Sequence, residues 1–466
     1  MSFFKAYDMR GEFGVDFDLD TVFRVGTALP RVVSGGRWLV GRDCRVTSSD
    51  VSAALVAGLE AAGAEVSDLG PCTTPMVYFF TAEGGYDGSV MVTASHNPPS
   101  DNGLKVSSAG ARPVGYANGL DRVEAMVLGA DSAKLSEKSG NSFKNEVNLG
   151  SLPIKTPPKA GTDPEFLRRY IDWMLARKPD LSGLRFAVDC SCGMASLLVR
   201  ELFPEAEAVV NGTPDGRFPA HSPNPLKTEA REQIAALVRE KGLDAGIIFD
   251  GDADRCMFVD ENGAFVQPDY LIPVVAAACG AGNGDTVIHD VRTSRGAIEE
   301  IRRLGAKPLM VPVGHAFAKP ALRESGAVCG GELAGHYYFH DFHCCDSGAL
   351  AALMILGEVA KAKRGGATFS QMMRPISGAY ANSGEINFRV EDKDAAIDRA
   401  LSALSAAGLK ETSRSEMDGV RVEYAEGWVS IRKSNTEPYL RLVAECDGAE
   451  RLAEWTRIVS EAVSEG

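Results

Sequence analysis

The sequence has no excess of positive charge. Its 49 Lys and Arg stand against 63 Asp and Glu, a formal net charge of −14 at pH 7. That balance excludes the broad basic face that a nucleic acid or an anionic membrane would require. It leaves room for a phosphate ligand, which needs only local Arg and Lys. No apolar run approaches the ~20 residues of a membrane span. The N-terminus carries Lys5, Asp8 and Arg10 within ten residues and no apolar core segment, so no signal peptide is expected. Cysteine pairs with zinc-like spacing are missing too: Cys190-Ser191-Cys192 and Cys344-Cys345 do not have it. Ten cysteines are sparse for 466 residues, and Cys279 closes the apolar run Val274-Val275-Ala276-Ala277-Ala278-Cys279. Free, buried thiols in a reducing cytoplasm are expected instead of bridges.

What is present is a long, core-forming chain. Its length suggests about three or four domains, and its hydrophobic content of 45% is ample for their cores. Three times an apolar strand ends in Asp, a helix pattern follows, and a short apolar strand comes next. Trp38-Leu39-Val40-Gly41-Arg42-Asp43 precedes a helix over 48–62 and Glu65-Val66. Phe186-Ala187-Val188-Asp189 precedes a helix over 194–202 and Ala208-Val209-Val210. Val287-Ile288-His289-Asp290 precedes a helix over 293–304 and Leu309-Met310-Val311. Each helix opens near a Ser or Thr able to cap it. Strand–helix–strand units imply parallel pairing through right-handed crossovers, hence three similar α/β domains.

The first junction is expected in the Lys-, Ser-, Asn-, Pro- and Gly-rich stretch 129–161, the second near Gly263, and the third near Arg364-Gly365-Gly366 after a helix over 350–363. Beyond it, a strand at 386–390, a helix at 395–407, two further strands and a helix at 452–463 read as an α+β domain on a largely antiparallel sheet. The domains are therefore placed at 1–145, 146–262, 263–366 and 367–466.

Four loops carry chemistry. Thr93-Ala94-Ser95-His96-Asn97-Pro98 follows the strand-like run Ser89-Val90-Met91-Val92; by itself a Ser before His-Asn-Pro is turn chemistry. Asp250-Gly251-Asp252-Ala253-Asp254-Arg255 follows the apolar run 245–249 and puts three carboxylates at alternate positions. An EF-hand would have Glu261 at its twelfth position but needs Gly at the sixth, where Arg255 stands, and a helical flank. A Mg²⁺ site with room for substrate oxygens fits better. Gly330-Gly331-Glu332-Leu333-Ala334-Gly335-His336 sets an acid and a base among glycines. Arg432-Lys433-Ser434-Asn435-Thr436-Glu437-Pro438, between two strand-like runs, is either a polar hairpin or a phosphate cradle, since Arg binds phosphate bidentately.

In this order, and with Ala6-Tyr7-Asp8-Met9-Arg10-Gly11 at the start, these loops resemble those of the α-D-phosphohexomutases over nearly the whole chain. Gly331-Glu332, His336-Tyr337-Tyr338-Phe339, Asp346-Ser347-Gly348 and Ser383-Gly384-Glu385-Ile386-Asn387 carry a closer likeness to bacterial phosphomannomutases, some of which accept glucose phosphates. The resemblance implies three similar mixed α/β domains and a C-terminal α+β domain, with the active site in a central cleft. It implies a phosphorylated Ser95, Mg²⁺ held by Asp250, Asp252, Asp254 and the Ser95 phosphate, and a 1,6-bisphosphate intermediate that turns end over end. Glucose or mannose 1,6-bisphosphate is the implied activator.

By the same resemblance Arg10, Lys105, Arg255, His315 and His336 ring the reaction centre, with Lys105 or a histidine as general base. Read without it, Lys105 is a surface amine and His315 a helix cap. Tyr7 and Glu332 are implied to bind the sugar, and Arg432, Ser434, Asn435 and Thr436 its phosphate. Ala334 departs from the family, where a serine is frequent. The implied partner is a small hexose phosphate, for a cytoplasmic monomer or homodimer. A phosphoglucosamine mutase would share every loop. A non-catalytic homologue would have lost the serine or an aspartate, and here all four residues are present.

Overall fold

Strands that are apolar throughout, as Ala245–Phe249 is, or with one polar residue, as Gly88–Val92 is with Ser89, are stable where helices cover both sheet faces, and both strands are wholly buried. A computed structural model describes residues 3–129, 158–434 and 439–464. The chain forms two compact units: Met1–Val266 with Ala334–Phe369, and Gln267–Leu333 with Ser370–Gly466.

The first unit holds two mixed sheets. One runs in the order Met9–Glu12, Asp101–Ser108, Gly88–Val92, Arg37–Arg42, Glu65–Pro71. Arg37–Arg42 pairs parallel with both Glu65–Pro71 and Gly88–Val92, while Asp101–Ser108 pairs antiparallel with Gly88–Val92 and with Met9–Glu12. The other sheet runs Phe265–Val266, Cys256–Asp260, Ala245–Phe249, Phe186–Asp189, Ala208–Val210, with its last two pairings parallel. In the second unit Thr286–Asp290 pairs parallel with Lys307–Val311 and Cys329–Gly331. That unit also holds the C-terminal antiparallel sheet, ordered Ala381–Asn382, Tyr439–Cys446, Gly427–Lys433, Val420–Tyr424, Glu411–Ser415, with Ile386–Arg389 added against Tyr439–Cys446. All three strand–helix–strand repeats are thus parallel, as their crossover lengths require. The C-terminal helices Lys393–Ala406 and Ala449–Ser464 pack on the last sheet through Ala396, Ala400, Leu404, Trp455 and Val459.

The structure departs from the sequence pattern in three places. The stretch 194–202 is not one helix but a 3₁₀ turn, Met194–Leu197, followed by the short helix Val199–Leu202. Pro204 pushes the preceding Phe203 out of helical conformation (φ −126°, ψ 54°), so too few residues remain for a regular helix. Side-chain capping is also rarer than the Ser and Thr suggest. Ser294 accepts from the Gly296 amide at 3.1 Å, but Thr47 makes no cap bond and the 3₁₀ turn opens on Gly193. Finally, all ten cysteines are free and eight are buried, but Cys279 is exposed. It stands at the end of helix Ile272–Ala278, where Gly280 (φ 70°) turns the chain away, so the apolar run outlasts the core.

Residues 130–157 of the expected first junction lie outside the described residues. The units divide between Val266 and Gln267, between Leu333 and Ala334, and between Phe369 and Ser370, so the two units do not coincide with the four expected domains: the second division falls inside 263–366. Among the described residues no helix is long and apolar enough to cross a membrane.

Candidate active site

Two strands of the first unit end side by side in function. The loop carrying Ser95 leaves the carboxyl end of Gly88–Val92, and the three-aspartate loop leaves that of Ala245–Phe249. Carboxyl ends of strands are where open α/β sheets bind ligands. Ser95 has φ 51°, the left-handed region that a residue with a Cβ enters only at a cost. The loop is held there. Thr93 Oγ1 accepts from the Ser95 amide at 2.9 Å, and itself donates to Asp43 at 2.7 Å. Buried Arg45 donates to the carbonyls of Ser95 (2.9 Å), Asn97 (2.7 Å), Pro98 (2.5 Å) and Asp101 (2.8 Å). Gly251 is required where the loops meet: a Cβ there would stand 2.7 Å from the Ser95 carbonyl oxygen.

The Ser95 hydroxyl lies between opposite charges. It donates to Asp250 Oδ2 at 2.8 Å and accepts from Arg255 Nη2 at 2.8 Å; Arg255 Nη2 also meets His96 Nδ1. Arg255 Nε in turn reaches Asp250 Oδ2 at 3.1 Å. Lys105 is not a surface amine. It is buried, and its Nζ bonds Asp252 at 2.7 Å and Asp254 at 2.6 Å. Burial opposes its charge, but the two carboxylates outweigh burial and raise its pKa, so Lys105 keeps its proton. Thr74 donates to Asp252 Oδ2 at 2.6 Å. His336 Nδ1 donates to Asp346 at 2.7 Å, which leaves Nε2 as the acceptor nitrogen. Arg10 reaches Asn97 at 3.1 Å and Asp8 at 2.5 Å, and Tyr7 is half-buried in the same segment.

The aspartates fit a hard divalent cation. Asp250, Asp252 and Asp254 are fully buried, and each offers an oxygen within 4.8 Å of the others. Asp252 Oδ1 and Asp254 Oδ1 have no hydrogen-bond donor among the described residues. Three carboxylates face two cations, Lys105 and Arg255. Burial first, then Asp254 and Asp252, push the Asp250 carboxyl well above the ordinary range. This is a carboxylate cage short of positive charge.

In the second unit the other candidates converge on one short stretch. The amide of Gly314 donates to Glu332 at 3.1 Å, and that of Val313 to Asp418 at 2.9 Å. Asp418 also binds Arg432 Nη2 at 2.7 Å. Arg432 Nε is buried with no acceptor among the described residues. His315 opens the helix His315–Ser325 directly after this stretch. Ser434 is half-buried, while Asn435 and Thr436 lie outside the described residues. Buried Arg292, which no sequence motif singled out, spans Asp290 (2.6 Å), Glu385 (3.3 Å) and Glu332 (4.0 Å).

Comparison with known proteins gives the family of the chain. Family models match for phosphoglucomutase/phosphomannomutase alpha/beta/alpha domain I (residues 1–133), domain II (168–263) and domain III (267–377), and for the C-terminal domain (385–462). The chain is 36% identical over 455 residues to a protein of Xanthomonas campestris named for phosphohexose mutases, covering 97% of this chain and 96% of that one. It is 34% identical over 460 residues to the phosphomannomutase of Escherichia coli K12, with the same coverage. A crystal structure of a phosphoglucomutase/phosphomannomutase family protein from Burkholderia thailandensis superposes with a TM-score of 0.80 at 27% identity, covering 100% of this chain and 98% of that one. The chain therefore belongs to the phosphoglucomutase/phosphomannomutase family of phosphohexomutase enzymes.

Proposed function

We propose that this enzyme interconverts mannose 6-phosphate and mannose 1-phosphate, and takes glucose phosphates by the same route, through a phosphoserine at Ser95 and a 1,6-bisphosphate intermediate. The observation that carries this reading is the Ser95 hydroxyl, set on a left-handed bend between Arg255 and Asp250. The name shared by the Escherichia coli relative supports mannose.

In the first half-reaction a sugar hydroxyl attacks phosphorus, the bond to Ser95 Oγ breaks, and Arg255 Nη2 stabilises the departing oxygen. The hydroxyl proton goes to His336 Nε2, because Asp346 occupies Nδ1 while Lys105 is held charged. After the bisphosphate turns end over end, Ser95 Oγ attacks the phosphorus at the sugar's other end, the bond from phosphorus to that sugar oxygen breaks, and the freed sugar oxygen takes the proton back from His336. A Mg²⁺ held by Asp250, Asp252, Asp254 and an oxygen of the Ser95 phosphate would neutralise charge on the transferring group. Arg10 and Lys105 add fixed positive charge, and Tyr7 is assigned to the sugar. In the second unit Glu332 is assigned the sugar hydroxyls, with His315 beside it. Arg432, Ser434, Asn435 and Thr436 are assigned the phosphate that is not being transferred, and sugar 1,6-bisphosphate restores a dephosphorylated Ser95.

Steady-state turnover tests both parts. Mannose 1-phosphate should be the best or equal-best substrate beside glucose and glucosamine phosphates, and Ser95→Ala should remove nearly all turnover with an unchanged fold. Preference for glucosamine phosphate would replace the substrate assignment. A rate near wild type in Ser95→Ala would make Ser95 structural.

A further inference from the structure

A second-unit cavity of about 320 Å³ has none of the residues assigned above in its lining. Strand alternation and helical period build it. His289 and Met310 pair across Thr286–Asp290 and Lys307–Val311 and both face it, whereas Asp290 turns the other way, to Arg292 and the Leu333 amide. Helix Arg295–Arg303 presents Arg295, Glu299 and Arg302 on one face. Arg421 and Glu423, at alternate positions of Val420–Tyr424, close it.

The lining is short of negative charge. Glu423 serves two guanidinium groups, accepting from Arg421 Nε and from Arg295 Nη2, each at 2.8 Å. Arg302 is exposed and makes no ion pair among the described residues. Glu299 accepts from Tyr380 at 2.8 Å. Three arginines thus face two glutamates, and burial keeps the Arg421 pKa below its ordinary value despite Glu423.

The second observation is His289, only 3% exposed. Its Nδ1 lies 3.1 Å from the Asp290 carbonyl, which can only accept, so Nδ1 carries the proton. Nε2 is then an acceptor with no partner among the described residues. Burial lowers the His289 pKa to about 4, so the ring is neutral at pH 7. Arg295 donates to Glu423 and to the Tyr424 and Gly427 carbonyls, and Arg421 Nη1 to those of Val291 and Thr293, so a ligand that completes the site must accept from Arg302 and Arg421 Nη2 and donate a hydrogen to His289 Nε2. Inorganic phosphate near neutral pH does both, whereas sulfate only accepts.

We propose that this cavity is a binding site for inorganic phosphate, separate from the residues that handle the sugar phosphate. Bound there, phosphate would link helix Arg295–Arg303 to strand Val420–Tyr424.

The test is calorimetric titration of the full chain with inorganic phosphate and with sulfate at pH 7.5. Wild type should show a saturable phosphate site that persists in Arg432→Ala. Its affinity should fall at least tenfold in His289→Phe and, separately, in Arg302→Gln, and sulfate should bind it at least tenfold more weakly than phosphate. Both variants should keep mutase turnover in phosphate-free buffer. Arg302 is exposed, so Arg302→Gln reports even where a buried substitution perturbs folding. The proposal is overturned by the absence of such a site, by its loss in Arg432→Ala, by its survival in Arg302→Gln, or by equal binding of sulfate.

Discussion

Ser95 sits in a backbone conformation that costs free energy, and six neighbouring hydrogen bonds from Thr93 and Arg45 outward keep it there. The same economy governs its partners: each charged group is held by others of opposite sign, leaving specific atoms over for ligands. Two predictions belong at this scale. Asp252→Asn removes one anionic ligand and one partner of Lys105. It should weaken Mg²⁺ binding, measured by titration calorimetry, by about tenfold or more, and lower kcat; full wild-type activity in excess chelator would remove the metal assignment. His336→Asn should lower kcat by about 10²–10⁴-fold, the range for a general base, with little change in substrate binding. A drop confined to KM would make His336 a binding residue.

At the scale of elements, the site was legible where it is local. The Ser95 and aspartate loops are contiguous motifs at strand ends, and strand ends can be recognised from apolar runs. Contacts made across long separations were not. Thr74 meets Asp252 from 178 positions away, and no pattern in either segment announces it. Arg292 and Asp418 acquire meaning only once folding brings them to Glu332, Val313 and Arg432. Over 194–202 the chain forms a 3₁₀ turn and a short helix in place of one helix, because Pro204 limits the length available.

One element-scale prediction concerns the start of helix Arg295–Arg303. Buried Asp269 accepts from the amide of Ser294, the helix cap, at 2.9 Å. Burial, partly opposed by that bond, raises its pKa to about 7. The folded state therefore holds a proton that the unfolded chain, with a carboxyl near 3.8, releases. Stability should fall as pH rises from about 4 through about 7, by roughly 1.4 kcal/mol per pKa unit of difference. Asp269→Asn keeps the acceptor and removes the titration, so its unfolding temperature should vary less over this window and exceed wild type at pH 8. Superimposable profiles would contradict this.

For the whole molecule, a net charge of −14 leaves room for an anionic substrate because single cations, Lys105 and Arg255, sit buried beside Ser95 and the three aspartates. The repeated strand–helix–strand units supply strand ends on which such loops can be mounted. The central claim is that the phosphoryl group passes through Ser95. It is tested most directly by loading the enzyme with labelled sugar 1,6-bisphosphate, confirming one phosphate by intact mass, and adding unlabelled mannose 1-phosphate in a single turnover. The account predicts a phosphate added at Ser95, absent in Ser95→Ala, whose label moves into sugar phosphate at a rate no slower than kcat. An enzyme that turns over without ever carrying phosphate at Ser95, or whose label leaves Ser95 more slowly than kcat, would contradict it.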